Sequence, residues 1–257
     1  MNVLLFLFFI LCLLSFLILG KPAFYLITGI FMTLCLFLVA IYLISRNFAV
    51  LPIFLVVLLA LTGIILFYTN GFNPKTKLAF FCSVITFTLM ILLIPLLTKS
   101  IAIAGFTPEE IDELATMNFA VPISYQALTA VLIIMSMAGA VIDASMAVAS
   151  SLYELRYQGQ LLSATALFQS SMKVVKEILG SSIHTLFFAF VANNLALIFW
   201  FSDLHYSFET LINAKAFVAE LVISISAGIM TVATLPFTAY FGAKFFTRKP
   251  QQRQIKK

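Results

Sequence analysis

Four long stretches within the first hundred residues, 2–19, 23–44, 48–68 and 78–97, contain no Asp, Glu, Lys or Arg at all. Each runs for 18 residues or more, which as a helix reaches about 27 Å, close to the ~30 Å hydrocarbon core of a bilayer. A water-soluble fold has no interior large enough to hide such segments one after another. Composition agrees: 63% of residues are hydrophobic and 10% charged, with a mean hydropathy of +1.12, whereas soluble domains carry roughly 25% charged residues. Lipid is the solvent this chain expects. The first stretch has no basic flank, is longer than the apolar core of a secretion signal, and is followed by no clean cleavage motif, so it is read as a membrane helix.

Three further spans are expected. The fifth begins near residue 124 and stays helical in pattern beyond 152, about 45 Å and so longer than the bilayer core. An amphipathic stretch covers 161–178, with Ser163 as its cap. The sixth span covers 180–201 and the seventh 216–246. Turns separate the early spans at Gly20-Lys21-Pro22 and at Asn70-Gly71-Phe72-Asn73-Pro74-Lys75. Between spans four and five, Thr107-Pro108-Glu109-Glu110 has the form of a helix start, with a capping hydroxyl, proline in the first turn and acids at the positive end of the dipole. A short helix on the membrane surface is expected there. The fold class is therefore all-α: a polytopic transmembrane bundle of about seven spans.

Orientation follows from the basic residues. With the N-terminus outside, twelve of the fifteen Lys and Arg fall on the inner side and three, Arg46, Lys99 and Lys215, on the outer. The positive-inside rule then predicts N-out and C-in. Six of the twelve lie between Lys244 and Lys257, a basic tail suited to anionic lipid rather than to nucleic acid. Residues 1–99 are expected to be a hydrophobic four-helix scaffold, 100–246 the functional core, and 247–257 a cytoplasmic tail.

Polar side chains concentrate in spans five to seven. Ser136, Gly139, Asp143, Ala147, Ser150 and Glu154 recur at steps of three or four and share one helix face. Small residues on such a stripe allow close helix approach, and an ionisable group within a span is a functional candidate by default. Asp143 is either part of a polar or ion pathway or a structural carboxylate paired to a base or a helix end. In span six, Glu177, Ser181 and His184 share a face, with Gly180 beside them. His184 and Asp143 are expected at similar depth, as a proton relay or as a hydrogen-bonded strut. Asn193 and Asn194 bridge helices or line a cavity. Span seven carries Glu220, Ser224, Gly228, Thr231, Leu235, Thr238 and Gly242 at helical spacing, a polar and small stripe except for Leu235. Pro236 there frees the carbonyl of Val232 and is a packing kink or a hinge, with Thr234 and Thr238 placed to satisfy the freed group. The helix-seam residues are thus Gly139, Ala147, Ser150, Gly180 and Gly228.

Catalytic chemistry has no support. Metalloprotease HExxH, the Gly-x-Ser-x-Gly elbow and a phosphate loop are all missing from the sequence. Cys12, Cys35 and Cys82 lie singly in apolar runs with no metal-ligand spacing. No catalytic residue, metal or cofactor is expected.

These blocks resemble the YibE/F family of bacterial multipass membrane proteins. The resemblance rests on Gly105-Phe106-Thr107-Pro108-Glu109-Glu110; Gly139-Ala140-Val141-Ile142-Asp143-Ala144-Ser145-Met146-Ala147-Val148-Ala149-Ser150 with Glu154-Leu155; Leu167-Phe168-Gln169-Ser170-Ser171-Met172; Glu177-Ile178-Leu179-Gly180-Ser181 with Thr185-Leu186; Glu220-Leu221-Val222; and Leu235-Pro236-Phe237-Thr238-Ala239. Asn commonly stands at the place of His184 in that family, and a basic residue at the place of Ile223. The resemblance implies a short, YibF-like member in the bacterial plasma membrane and a YibE-like partner in the same bilayer. It implies no substrate. Two functions are then expected: a small-solute or ion transporter or channel-like subunit, with Asp143 and Glu220 as its polar sites, or a non-catalytic assembly or sensing subunit.

Overall fold

In a bilayer each backbone N–H and C=O has to be satisfied within its own segment, which helices achieve. The computed structural model, which describes residues 2–46, 48–100, 125–158, 163–203 and 205–248, is all-helical over those residues. Its helices are α1 (Asn2–Leu19), α2 (Pro22–Ser45), α3 (Val50–Gly63) continued by a π-helical turn (Ile64–Thr69), α4 (Pro74–Ser100), α5 (Tyr125–Gln158), α6 (Ala164–Asp203), α7 (Phe208–Asn213) and α8 (Lys215–Arg248). Six helical segments are long and apolar enough to cross a membrane, and α1 adds a shorter apolar helix. About seven spans is consistent with this count. The acidic helix start near Thr107 and the tail 249–257 lie outside the described residues.

Local chemistry places the breaks. Gly20 closes α1 with φ +64°, its N–H donating to the Phe16 carbonyl at 3.0 Å, a left-handed cap that glycine adopts without strain. Pro22 and Pro74 open α2 and α4, where a missing N–H costs nothing. Ser207 caps the short α7 by accepting from the Thr210 N–H.

The chain forms two compact units, Met1–Lys77 and Leu78–Lys257. In the first, α2 packs on α1, on α3 and on the π-helical turn. At Gly29 the packing is tight, for a Cβ there would stand 2.8 Å from Thr69 Oγ1. The looser π-turn hydrogen bonding is backed by side chains five residues on: Thr69 donates to the Ile64 carbonyl and Asn70 to that of Ile65. The outer faces of α1 and α2 carry Leu4, Phe6, Phe9, Phe24, Phe31 and Leu38, all exposed, as lipid contact requires.

The second unit holds α4 from Leu78 onward together with α5 to α8. There α8 is central, packing along both α5 and α6, which also touch each other, while α7 leans on α8. The expected boundary at 99/100 is thus not where the contacts divide, since the body of α4 packs within the second unit. A second difference concerns 161–178 and 180–201, expected as two elements but forming the single 40-residue α6. Gly180 weakens a helix by roughly 1 kcal/mol relative to Ala but supplies no stop without proline or a turn sequence. At about 60 Å, α6 exceeds any bilayer core and must tilt or project.

Candidate functional site

The stripe on α5 keeps to one face, and that face points away from the bundle. Ile134, Val141, Ser145, Val148 and Leu152 on the opposite side are buried, whereas Ser136, Gly139, Asp143 and Glu154 are exposed and Ala147 and Ser150 half-buried. A Cβ added to Gly139 would meet nothing within 4 Å. The Asp143 carboxylate has no hydrogen-bond or ion-pair partner among the described residues. Between Thr129 and Arg156 the only large apolar side chain exposed on α5 is Leu132.

The packed side of α5 has a different polar character. Ser145 donates to the Val141 carbonyl and accepts from Ser83 of α4 at 2.9 Å, both hydroxyls fully buried. Cys82, next to Ser83, lies against Thr238 of α8. The Thr238 hydroxyl is buried without a hydrogen bond of normal geometry. Gly242, one turn further along α8, fits against Leu152 and Leu78 so closely that a Cβ would collide with both. Hydroxyls and a glycine thus form the α4–α5–α8 junction.

On α6, His184, Glu177, Ser181 and Gly180 are all exposed. His184 Nδ1–H donates to the Gly180 carbonyl of its own helix at 2.7 Å, leaving Nε2 outward. Of the two asparagines, Asn193 is exposed and Asn194 buried, its amide donating to the Phe190 carbonyl. On α8, Glu220 is exposed and Gly228 half-buried with open space at its Cβ position. Gly228 lines a groove between α6 and α8 together with Phe187, Phe190, Leu221 and Ile225, which is apolar. Around Pro236 the helix continues. Thr234 donates to the Met230 carbonyl and the Thr238 hydroxyl faces Cys82 without a hydrogen bond of normal geometry, so neither threonine serves the carbonyl of Val232 as the sequence suggests.

Ring contacts set the levels of these groups. Tyr153 meets Phe246 at 5.9 Å and Leu152 lies on Gly242, so α5 and α8 are in register near their C-terminal ends. They run parallel, since α4 is antiparallel to both: it pairs Leu78 with Gly242 and Cys82 with Thr238 on α8, and Ser83 with Ser145 on α5. Phe168 meets Tyr240 at 6.2 Å and Phe190 meets Phe217 at 5.9 Å, making α6 antiparallel to α8. Counting from these points, Asp143 is level with Ala233–Pro236 on α8 and with residues 172–175 on α6. Lys173, exposed, lies at that level. His184 falls about 15 Å away along the axis, level with Ile223 and Ser224. The structure therefore does not bring Asp143 and His184 together. Glu220, one helical turn from the His184 level, is the nearer acid, and no ion pair joins them.

Among the described residues no three His, Cys, Asp or Glu side chains come close enough to hold a metal ion. What the arrangement offers is a half-built site: a polar, small-residue face with an unpaired carboxylate, open on one side. Sequence periodicity locates this face, but solvation alone does not say whether a stripe of small residues turns inward or outward. The Ser83–Ser145 bond escaped the sequence reading because α4 shows isolated hydroxyls without periodicity.

A family model described as YibE/F-like protein matches residues 6–248 of the chain. No curated protein and no solved structure matches it.

Proposed function

The chain belongs to the YibE/F-like family of proteins, and we propose that it works as a subunit of a multipass assembly in the bacterial plasma membrane, its C-terminal tail inside. The observation that carries this reading is the outward placement of Ser136, Gly139 and Asp143 with Asp143 unpaired. A carboxylate on a lipid-facing helix surface costs several kcal/mol, and small side chains make poor contact with acyl chains but allow another helix to approach closely. A second transmembrane helix that covers the face and brings a polar or basic partner to Asp143 relieves both. The resemblance to short family members supports a YibE-like chain as a further subunit of the same assembly.

A transport pathway, on this geometry, runs between chains rather than through one. Asp143 and Glu220 both lie on the outside of the second unit, and the α6–α8 groove between their levels is lined by apolar side chains with Ser224 as its one hydroxyl. The covering helix supplies the second wall. No catalytic step is assigned to the chain.

The test is extraction into nanodiscs from native membranes, with particle mass and ion or solute flux measured together. The reading expects a particle heavier than one 28.5 kDa chain, and flux, where present, reduced by Asp143→Asn. A single chain in each particle, with a photoreactive group at Ser136 labelling lipid alone, sinks it.

A further inference from the structure

We infer that the occupant of the α5 face is a second copy of this chain, held by Asp143 of each copy against Lys173 of the other. The inference rests on the reading of that face as a docking surface and adds its partner.

Three observations converge on it. First, the α5 face is unlike the lipid-facing surfaces elsewhere. The C-terminal part of α6 exposes Ile183, Phe187, Phe188, Leu195 and Phe199, whereas between Thr129 and Arg156 α5 exposes a single bulky apolar side chain, Leu132, beside Ser136, Gly139 and Asp143. Second, the N-terminal half of α6 is polar on its outward side, with Gln169, Lys173, Lys176 and Glu177 exposed. Acid and base thus lie on the outward faces of neighbouring helices of the same unit. Third, Asp143 and Lys173 are level with each other, and neither side chain has an ion-pair partner among the described residues.

Symmetry turns these facts into a specific geometry. Two copies with the same orientation in a bilayer are related by a two-fold axis along the membrane normal, which leaves every residue at its own depth. An acid facing the other copy can only meet groups at its own level. At the level of Asp143 the exposed cation among the described residues is Lys173, and the operation that brings Asp143 to the partner's Lys173 also brings Lys173 to the partner's Asp143. The contact is isologous and closed. It neutralises two carboxylates and two ammonium groups in a medium where each alone is costly, and Gly139 with Ser136 lets the two α5 helices come near enough for the pairs to form.

The experiment uses the full chain with Cys12, Cys35 and Cys82 replaced by Ala, carrying Ser136→Cys or Gly139→Cys, oxidised in native membranes. A disulfide-linked dimer is expected from both positions and none from Phe188→Cys on the apolar face. Asp143→Lys and Lys173→Asp should each lower the cross-linked fraction about tenfold, the scale of the larger polar couplings between membrane helices. The two reversals together should restore it, and this rescue separates lost contact from lost folding. Reversals that leave cross-linking unchanged, or a double reversal that fails to rescue while the protein still elutes as folded, overturn the pairing. Adducts only to a chain of different mass overturn the second copy but leave the docking face standing. No disulfide from either position overturns the second copy, and a single 28.5 kDa chain in each nanodisc particle overturns the docking face with it.

Discussion

Ser83 and Ser145, 62 residues apart in sequence, share a 2.9 Å hydrogen bond in the fully buried contact of α4 with α5. The bond ties a helix with little polar patterning to the helix that carries most of it, and it places α4 inside the second unit. Ser145 also donates to the Val141 carbonyl, so Ser83 is the donor of the pair.

The Ser83–Ser145 bond should be measurable as a coupling. Ser83→Ala and Ser145→Ala each lower stability, and the double variant loses less than their sum. A coupling of about 0.6 kcal/mol, with an upper range near 1.7, is the scale for hydroxyl pairs between membrane helices. Unfolding of the four proteins of the cycle in mixed micelles measures it, and zero coupling contradicts the contact.

Thr238 gives the opposite sign. Its hydroxyl is buried against Cys82 without a hydrogen bond of normal geometry, and a poorly satisfied buried hydroxyl costs roughly 1–3 kcal/mol. Thr238→Val removes the hydroxyl and keeps the shape, so an apparent melting temperature equal to or above that of the parent is expected. A marked fall would show that the hydroxyl has a partner after all.

Two glycines with opposite surroundings separate packing from exposure. Gly242→Leu forces atoms into Leu152 and Leu78 and should cost about 1–3 kcal/mol, the usual penalty of overpacking. Gly139→Ala meets nothing within 4 Å and gains helix propensity of up to about 1 kcal/mol, so the isolated chain should hold or gain stability. Thermal unfolding in detergent compares them, and equal losses at both positions would contradict the burial pattern.

In the first unit, Gly29→Val drives a side chain against Thr69 Oγ1, 2.8 Å from the Cβ position. Loss of stability of about 1–3 kcal/mol is expected from overpacking, partly recovered by Thr69→Ala, which clears the space at the cost of the bond to the Ile64 carbonyl. No recovery in the double variant would place the strain elsewhere.

Orientation is open to direct measurement. A cysteine introduced near Lys257 in a protein lacking the other three should react with a membrane-impermeant reagent only from the cytoplasmic side, as the basic tail predicts. Labelling from the opposite side reverses every assignment of inner and outer faces.

The spans themselves were legible one residue at a time. A run such as 2–19 or 23–44 has one stable solvent, and in that solvent one stable backbone, because lipid offers no partner to a free N–H or C=O. Helical spacing likewise put Ser136, Gly139 and Asp143 on a common face before any neighbour was known. Direction in space is a different matter. Inside a bilayer the hydrophobic effect does not sort faces, since an acyl chain and a leucine are equivalent surroundings, and the choice falls to close packing and hydrogen bonds among helices distant in sequence. Those contacts, Ser83 with Ser145 and Gly242 with Leu152 and Leu78, turned the hydroxyl side of α5 inward and left Asp143 outside. The same contacts set Asp143 level with Lys173 and about 15 Å from His184, an arrangement that depth counted from each helix end could not supply, because α6 runs on through Gly180 as one helix.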